Sequence, residues 1–174
     1  DQSHDIAKRI RPHIQKIASI YHVNVFSPLY TAAKMEELYP GCNYKIVFIA
    51  SAMAFLPVPG YALYGSTKAA LHSFAECLRF EPGMRKKLTV VYPVSTRTDF
   101  FRRAGTNIPM AFPVQKAETV ANKIIQGIQK DKKRIYPSRL FRIMQIINRI
   151  FPFILFLYQK YEQKRLFRWK GELV

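Results

Sequence analysis

A tyrosine followed by a lysine four residues later is the feature of this sequence whose residue types and spacing could do chemistry. On a helix, this spacing places both side chains on one face, about one turn apart. An ammonium group beside a phenol stabilises the phenolate, so it lowers a tyrosine pKa that is near 10 when unperturbed. Such a phenol can donate a proton to a carbonyl oxygen at neutral pH, or accept one in reverse. A ketone reductase or an alcohol dehydrogenase requires this chemistry.

The Tyr-x-x-x-Lys pair occurs twice, as Tyr30/Lys34 and as Tyr64/Lys68. Ser51 lies thirteen residues before Tyr64, at the end of an apolar run, whereas an isoleucine occupies the equivalent position before Tyr30. In parallel α/β folds, functional side chains lie at the carboxyl ends of strands. A hydroxyl partner is therefore expected only for the second pair, and Ser51, Tyr64 and Lys68 are the predicted catalytic residues.

Alternating strand and helix patterns predict the elements that position these residues. Strand patterns occur at 45–51, 88–94 and 133–137. Helical patterns occur at 13–38, 64–80 and 117–130. This alternation predicts an α/β fold with a parallel sheet.

The segment that contains the second pair, IASAMAFLPVPGYALYGSTKAAL, resembles the active-site segment of the short-chain dehydrogenase/reductase family. The resemblance rests on the strand-end serine, the Tyr-x-x-x-Lys motif and the small residues around the lysine. Upstream, VNVFSP is similar to the family's helix segment with the catalytic asparagine, here Asn24. Downstream, YPVSTRTDF resembles the segment in which Pro93 and Thr98 would contact the nicotinamide end of the cofactor. The family's glycine after that proline is replaced by Val94.

The resemblance implies a role for each matching residue. Tyr64 would be the general acid/base, and Lys68 would lower its pKa and bind the ribose hydroxyls. Ser51 would hold the substrate oxygen, and Asn24 would help to fix a water that relays protons to Lys68. The implied cofactor is NAD or NADP, since no side chain can supply a hydride.

The family's cofactor loop, Gly-x-x-x-Gly-x-Gly, has no counterpart in this sequence, because no three of its seven glycines have that spacing. The chain is therefore expected to be the C-terminal, catalytic part of such a protein, truncated at its N-terminus. The expected fold is a partial Rossmann-like, doubly wound parallel sheet of about three strands.

The charge of the chain is strongly positive and is concentrated towards its end. With 28 Lys and Arg against 11 Asp and Glu, the net charge of +17 predicts an anionic partner. Residues 130–174 hold twelve of the basic residues and three of the acidic ones. The two cysteines, Cys42 and Cys77, have no metal-type spacing, so no metal site is expected and a reduced, cytoplasmic protein is predicted.

The pattern changes at residue 138, which divides the chain into a catalytic portion at 1–137 and a helical tail at 138–174. The run FPFILFLY in the tail is shorter than the roughly 20 residues that span a bilayer. A basic amphipathic helix with aromatic flanks suits peripheral contact with a membrane surface through 138–170. Packing on the core or on a partner subunit is the alternative. The basic residues concerned are Arg139, Arg142, Arg149, Lys160, Lys164, Arg165, Arg168 and Lys170.

These patterns favour an NAD(P)-dependent oxidoreductase that reduces a carbonyl or oxidises a secondary alcohol. The segment between Ser51 and Tyr64 and the loop at 99–113 are apolar and aromatic, and such segments line the substrate site in the resembling family. An apolar or lipid-like small-molecule substrate is therefore expected. The resemblance also implies a homodimer formed through the helices near 13–38 and 64–80.

Two other functions compete with this hypothesis. The first is a truncated, non-catalytic remnant that acts as a basic membrane-binding or interaction module; the missing glycine loop favours it, and the intact Ser51, Tyr64 and Lys68 oppose it. The second is nucleic-acid binding. It is not expected, because the aromatic residues of the tail form one apolar block instead of alternating with charges as a stacking platform would.

Overall fold

The structure is a computed structural model that describes residues 14–98 and 110–171. Its helices are α1 (Ile14–Tyr21), α2 (Ser27–Leu38), α3 (Ala62–Leu78), α4 (Met84–Lys87), α5 (Ala117–Gln129), α6 (Arg139–Ile150) and α7 (Phe153–Lys170). Its strands are β1 (Ile46–Ile49), β2 (Leu88–Val91), β3 (Ser95–Arg97), β4 (Val114–Lys116) and β5 (Arg134–Ile135). The α/β fold class is confirmed.

A three-stranded parallel sheet in the order β1, β2, β5 forms the centre of the fold. The register aligns Ile46 with Leu88 in the first pair of strands and Val91 with Ile135 in the second. Every residue of β2 is buried, as expected for a central strand covered on both faces. The sequence predicted these three strands, although each is shorter than its apolar run. It did not predict the small parallel pair formed by β3 and β4.

The predicted helix at 13–38 is interrupted, within its described part, by a π-helical turn at His22–Phe26 that joins α1 to α2. Pro28 explains the interruption, because proline has no N–H to donate to the carbonyl four residues earlier, that of Asn24. The turn packs against α3. Single π turns are often found at functional sites.

Helix α3 is fixed to the sheet at its C-terminal end by Arg79. This guanidinium is buried and donates hydrogen bonds to the carbonyls of Leu88 (3.1 Å) and Lys133 (3.2 Å), at the beginnings of β2 and β5. Leu71 and Ala75 of α3 are buried in the core. The opposite end of α3, which holds Tyr64 and Lys68, therefore lies beside the carboxyl ends of the strands.

The tail consists of two helices, because Pro152 separates α6 from α7. Ser138 caps α6 by accepting a hydrogen bond from the N–H of Phe141 (3.1 Å), and the Phe141 ring is 1% exposed within the main core. Most other large apolar side chains of these helices are exposed. The tail thus packs on the core by one side and presents apolar residues on the other. Neither helix is both long enough and apolar enough to cross a bilayer.

Candidate active site

Ser51 lies two residues beyond the end of β1 and is 8% exposed. Its hydroxyl oxygen accepts a hydrogen bond from the N–H of Met53 (3.1 Å), which caps a short 3₁₀ turn at Ala52–Ala54. On either side of Ser51, the N–H groups of Ala50 and Ala52 donate to the carbonyls of Val91 (2.9 Å) and Pro93 (2.8 Å). The backbone therefore holds Ser51 beside the segment that follows β2.

Tyr64 and Lys68 lie one turn apart on α3, as the sequence predicts. The Tyr64 hydroxyl is hydrogen-bonded to Ser51. The Lys68 ammonium is 5.6 Å from the centre of the Tyr64 ring. Lys68 is 8% exposed and donates a hydrogen bond to the carbonyl of Ile49 (2.9 Å), the last residue of β1. The structure thus brings the serine, the tyrosine and the lysine together at the carboxyl end of β1.

The expected direction of the Tyr64 pKa shift is wrong for this structure. Burial penalises the phenolate and raises the pKa of Tyr64 above its usual value, whereas the hydrogen bond from Ser51 only partly opposes that effect. Burial also lowers the pKa of Lys68, whose ammonium is directed to a backbone carbonyl. The phenol is consequently in its neutral, proton-donating form at neutral pH.

A cavity of about 240 Å³ opens over these three side chains. Pro93 and Thr98 lie on its wall, which places five of the six predicted site residues around one space. Val94, found where the family has glycine, is buried and also lines the cavity. The full lining is Ile49, Ala50, Ser51, Met53, Tyr61, Tyr64, Lys68, Pro93, Val94, Ser95, Thr96 and Thr98.

Asn24, the sixth predicted site residue, does not line the cavity. It lies in the π-helical turn, and its side-chain amide donates a hydrogen bond to the Thr67 hydroxyl (3.1 Å). The Thr67 hydroxyl in turn donates to the backbone carbonyl of Tyr64 (2.7 Å). Asn24 therefore reaches the site through α3, in an arrangement that fixes the turn of helix carrying Tyr64.

Two residues that sequence reasoning missed belong to this arrangement. Thr67 is fully buried between Asn24 and Tyr64. Tyr61 lines the cavity, and its buried hydroxyl has no hydrogen-bond partner among the described residues. Tyr61 precedes Tyr64 by three residues, a spacing that places two side chains on the same side of a helix. This spacing is the feature of the sequence that could have identified Tyr61.

Within the described residues, no group of three or more His, Cys, Asp or Glu side chains could hold a metal ion. Both cysteines are exposed and unbonded to each other.

A sequence model of the short chain dehydrogenase family matches residues 8–108, more than half of the chain. The chain belongs to the short-chain dehydrogenase family. The match includes Asn24, Ser51, Tyr64, Lys68, Pro93 and Thr98.

Two human members of the short-chain dehydrogenase family are similar in sequence. Short-chain dehydrogenase/reductase 3 of Homo sapiens is 28% identical over 144 residues, which cover 80% of this chain and 44% of that protein. Epidermal retinol dehydrogenase 2 of Homo sapiens is 28% identical over 137 residues, covering 76% of this chain and 44% of that protein. The chain thus spans less than half the length of these relatives.

A solved member of the family has the same fold. The short-chain dehydrogenase from Sphingobium yanoikuyae, determined in complex with NADPH, aligns with a TM-score of 0.57 and 24% identity. The alignment covers 67% of this chain and 46% of that one. The three-stranded sheet is accordingly part of a Rossmann-like fold.

Proposed function

We propose that the protein is an NAD(P)-dependent oxidoreductase that reduces a carbonyl group or oxidises a secondary alcohol. The observation that carries this proposal is the single cavity in which Ser51, Tyr64 and Lys68 meet at the carboxyl end of β1. Membership of the short-chain dehydrogenase family supports the reaction type, and the NADPH in the related bacterial structure supports the cofactor class.

We expect the cavity wall to contact the nicotinamide end of such a cofactor. The Lys68 ammonium would hold the ribose hydroxyls, and Pro93 and Thr98 would lie beside the ring. The bound nicotinamide supplies or accepts the hydride. Lys68 is suited to this contact because its position, buried and beside the end of β1, is fixed by the bond to the Ile49 carbonyl.

Ser51 would bind the substrate oxygen, and Tyr64 would transfer the proton to or from it. The Ser51 oxygen accepts from the Met53 N–H, and its one proton, which is shared with the Tyr64 hydroxyl in this structure, would be donated to the oxygen of a bound substrate. In reduction, Tyr64 donates its phenolic proton to the carbonyl oxygen as negative charge develops there. In oxidation, the phenolate accepts the proton of the alcohol. The hydrogen bonds from Asn24 to Thr67 and from Thr67 to the Tyr64 carbonyl make Asn24 a positioning residue for this phenol.

An apolar or lipid-like substrate suits the surroundings of Ser51. Met53 and Val94 line the catalytic cavity and also a second, adjoining cavity whose lining is mostly apolar. Retinol, an apolar alcohol, is part of the name of one human relative. The predicted substrate loop at 99–113 lies outside the described residues up to residue 109, and Ala111, Phe112 and Pro113 line the second cavity.

Ketone-dependent oxidation of NADPH or NADH by the intact protein tests the proposal. We expect the loss of reduced cofactor, followed by its absorbance, to require an added apolar ketone such as dodecan-2-one. No hydride transfer in either direction with any of a panel of apolar ketones and secondary alcohols would favour the non-catalytic alternative.

Peripheral membrane contact is a second proposed property, and the exposed faces of α6 and α7 favour it. The exposed apolar side chains of this surface are Leu140, Ile143, Ile146, Ile147, Ile150, Phe151, Phe153, Phe156, Leu157, Tyr161 and Trp169. Exposed basic residues interspersed with them are Arg139, Arg142, Arg149, Lys160, Lys164 and Arg168. Arg165 instead pairs with Glu162 (3.0 Å). An apolar surface with a basic border matches the headgroup region of an anionic membrane.

A homodimer formed through the helices near 13–38 and 64–80 is the third proposed property. These segments lie side by side, joined by hydrogen bonds from Tyr21 to Ser66 (3.1 Å) and from Asn24 to Thr67 (3.1 Å). Val23 and Phe26 expose 67% and 52% of their surface along this pair. Ala75 of α3 is fully buried in the protein's own core, so it is not available for this contact.

A further inference from the structure

The two C-terminal helices form one wall of the space beside Ser51. A cavity of about 30 Å³ extends from Ser51 to Phe141, Met144 and Tyr158, which belong to α6 and α7. A smaller cavity of about 10 Å³ shares Met144 and Tyr158 with it and continues to Leu155 in the first turn of α7. The two cavities therefore mark one line of narrow spaces from the catalytic serine to the junction of the tail helices.

The far end of this line reaches the exposed apolar surface of the tail. Leu155 and the neighbouring Ile154 line the smaller cavity, and the adjacent Phe153 is 61% exposed. Ile150 and Phe151, at the turn between the helices, are likewise exposed. Apolar side chains thus extend from the catalytic cavity to the protein surface.

Hydrogen bonds to one backbone unit hold α7 in this position. The Tyr158 hydroxyl donates to the Phe112 carbonyl (2.8 Å), and the Phe112 N–H donates to the Glu162 carboxylate (3.1 Å). Glu162 is 5% exposed, and its charge is balanced by Arg165. A third contact runs from the Gln159 amide to the Pro57 carbonyl (3.1 Å). The wall is consequently a built part of the catalytic unit, because the buried Glu162 carboxylate of α7 is paired with the backbone of Phe112.

We infer that this line of cavities is a passage for the apolar chain of the substrate, which extends from Ser51 between α6 and α7 to the exposed apolar surface. The inference rests on the proposed oxidoreductase function for the reacting group at the other end of the chain. The passage is narrow, about the size of single water molecules. Met144 lines both cavities. A change of its rotamer would widen the passage, since an unbranched thioether side chain adapts readily to its surroundings.

Substitution of Met144 tests the passage through the preference between long and short substrates. We expect Met144→Trp, which fills the passage, to lower the ratio of kcat/KM for dodecan-2-one to that for butan-2-one by about tenfold or more, because each methylene kept out of an apolar site costs roughly fourfold in binding. Met144→Ala, which enlarges the passage, should raise the same ratio. It provides a second test if the larger variant does not fold. Gln126→Trp adds an indole to the exposed face of α5 and is the matched control.

A ratio within about twofold of wild type in Met144→Trp, with a normal melting curve, would overturn the passage. If that variant does not fold, an unraised ratio in Met144→Ala overturns it instead. Calorimetric binding of dodecan-2-ol separates this inference from the proposed function. If the wild type turns over neither ketone, the oxidoreductase proposal fails. The passage is then supported if Met144→Trp weakens dodecan-2-ol binding about tenfold, and is overturned if the binding is unchanged.

Discussion

Tyr64 is a partly buried residue, and two opposing effects determine the pKa of its phenol. Burial raises it, and the hydrogen bond from Ser51 lowers it by a smaller amount. Lys68 does not reverse this balance, because its own ammonium is desolvated and donates to the Ile49 carbonyl. The Tyr64 phenol is therefore neutral, and able to donate its proton, at neutral pH.

The raised pKa of Tyr64 predicts opposite pH dependences for the two reaction directions. Reduction uses the neutral phenol, which is present below the pKa, so its rate should be constant from about pH 6 to about pH 9 and should fall above pH ~10. Oxidation uses the phenolate, so its rate should rise with pH throughout that range. Initial rates in both directions, measured on the intact protein, check this. A reduction rate that declines between about pH 6 and pH 8 would contradict the raised pKa.

At the level of residues, the sequence predicts which side chains form the site better than it predicts the hydrogen bonds between them and the pKa of Tyr64. The spacing of Ser51, Tyr64 and Lys68 sufficed to predict that they meet, because a strand end and one helix face leave little freedom. The Asn24–Thr67 hydrogen bond joins residues 43 positions apart, and no local pattern specifies such a contact. The direction of the Tyr64 pKa shift depends on burial, which a motif does not reveal.

At the level of elements, apolar runs and turn residues predicted the three strands of the main sheet and the helices between them. The π-helical turn before Pro28 and the break at Pro152 both have a signal in the sequence, since proline disrupts a continuing helix. Which side of α6 faces the core depends on Phe141, which is buried, whereas Ile143 and Ile146 are exposed. The pairing of β3 with β4 joins segments whose short lengths give no clear strand pattern.

The packing of α5 on β5 depends on a glycine. A Cβ added at Gly127 would lie 2.5 Å from Cδ1 and 2.6 Å from Cγ1 of Ile135, a buried and β-branched residue. We expect Gly127→Ala to lower the free energy of unfolding by about 1–3 kcal/mol, because the helix must move away from the strand. Urea denaturation of the intact protein measures this change.

Gly65→Ala is the matched control for this prediction. Gly65 is also buried within a helix, but an added Cβ would approach no atom closer than the Met53 carbonyl at 3.8 Å. Alanine there should leave stability unchanged or raise it by up to about 1 kcal/mol through its better helix propensity. Equal effects of the two substitutions would show that close contact between α5 and β5 is not what Gly127 provides.

At the scale of the whole molecule, α6 and α7 combine exposed basic residues with exposed apolar residues. We expect the intact protein to sediment with vesicles that contain phosphatidylserine, less strongly as salt is added, and to bind pure phosphatidylcholine weakly. Removing two exposed charges in Arg139→Gln/Arg149→Gln should weaken the anionic binding roughly 30-fold, since each is worth about 1 kcal/mol.

The control carries the same charge change elsewhere. Arg85→Gln/Lys86→Gln alters two exposed basic residues next to the beginning of β2, away from α6 and α7. Point substitutions are preferable to deletion of the tail, because deletion would also remove Phe141 from the core. Equal weakening by both double variants would mean that net charge, and not the tail surface, attracts the vesicles.

We expect the protein to be a homodimer whose subunits contact each other through the helices at 14–38 and 62–78. Light scattering at micromolar concentration should give twice the monomer mass for the intact protein. Ser73→Arg, which places a charge on the exposed face of α3, should shift the protein to monomer, whereas Gln126→Arg on α5 should not. A strictly monomeric wild type would contradict the proposed dimer.

Hydride transfer to an apolar ketone by Tyr64→Phe is the measurement that tests the central claim most directly. This substitution removes the transferable proton and keeps the aromatic ring, so the rate should fall at least about 100-fold with little change in stability. Tyr30→Phe, in the other Tyr-x-x-x-Lys pair, alters an exposed tyrosine and should leave the rate nearly unchanged. A Tyr64→Phe protein that keeps more than about a tenth of the wild-type rate would show that Tyr64 is not the acid/base.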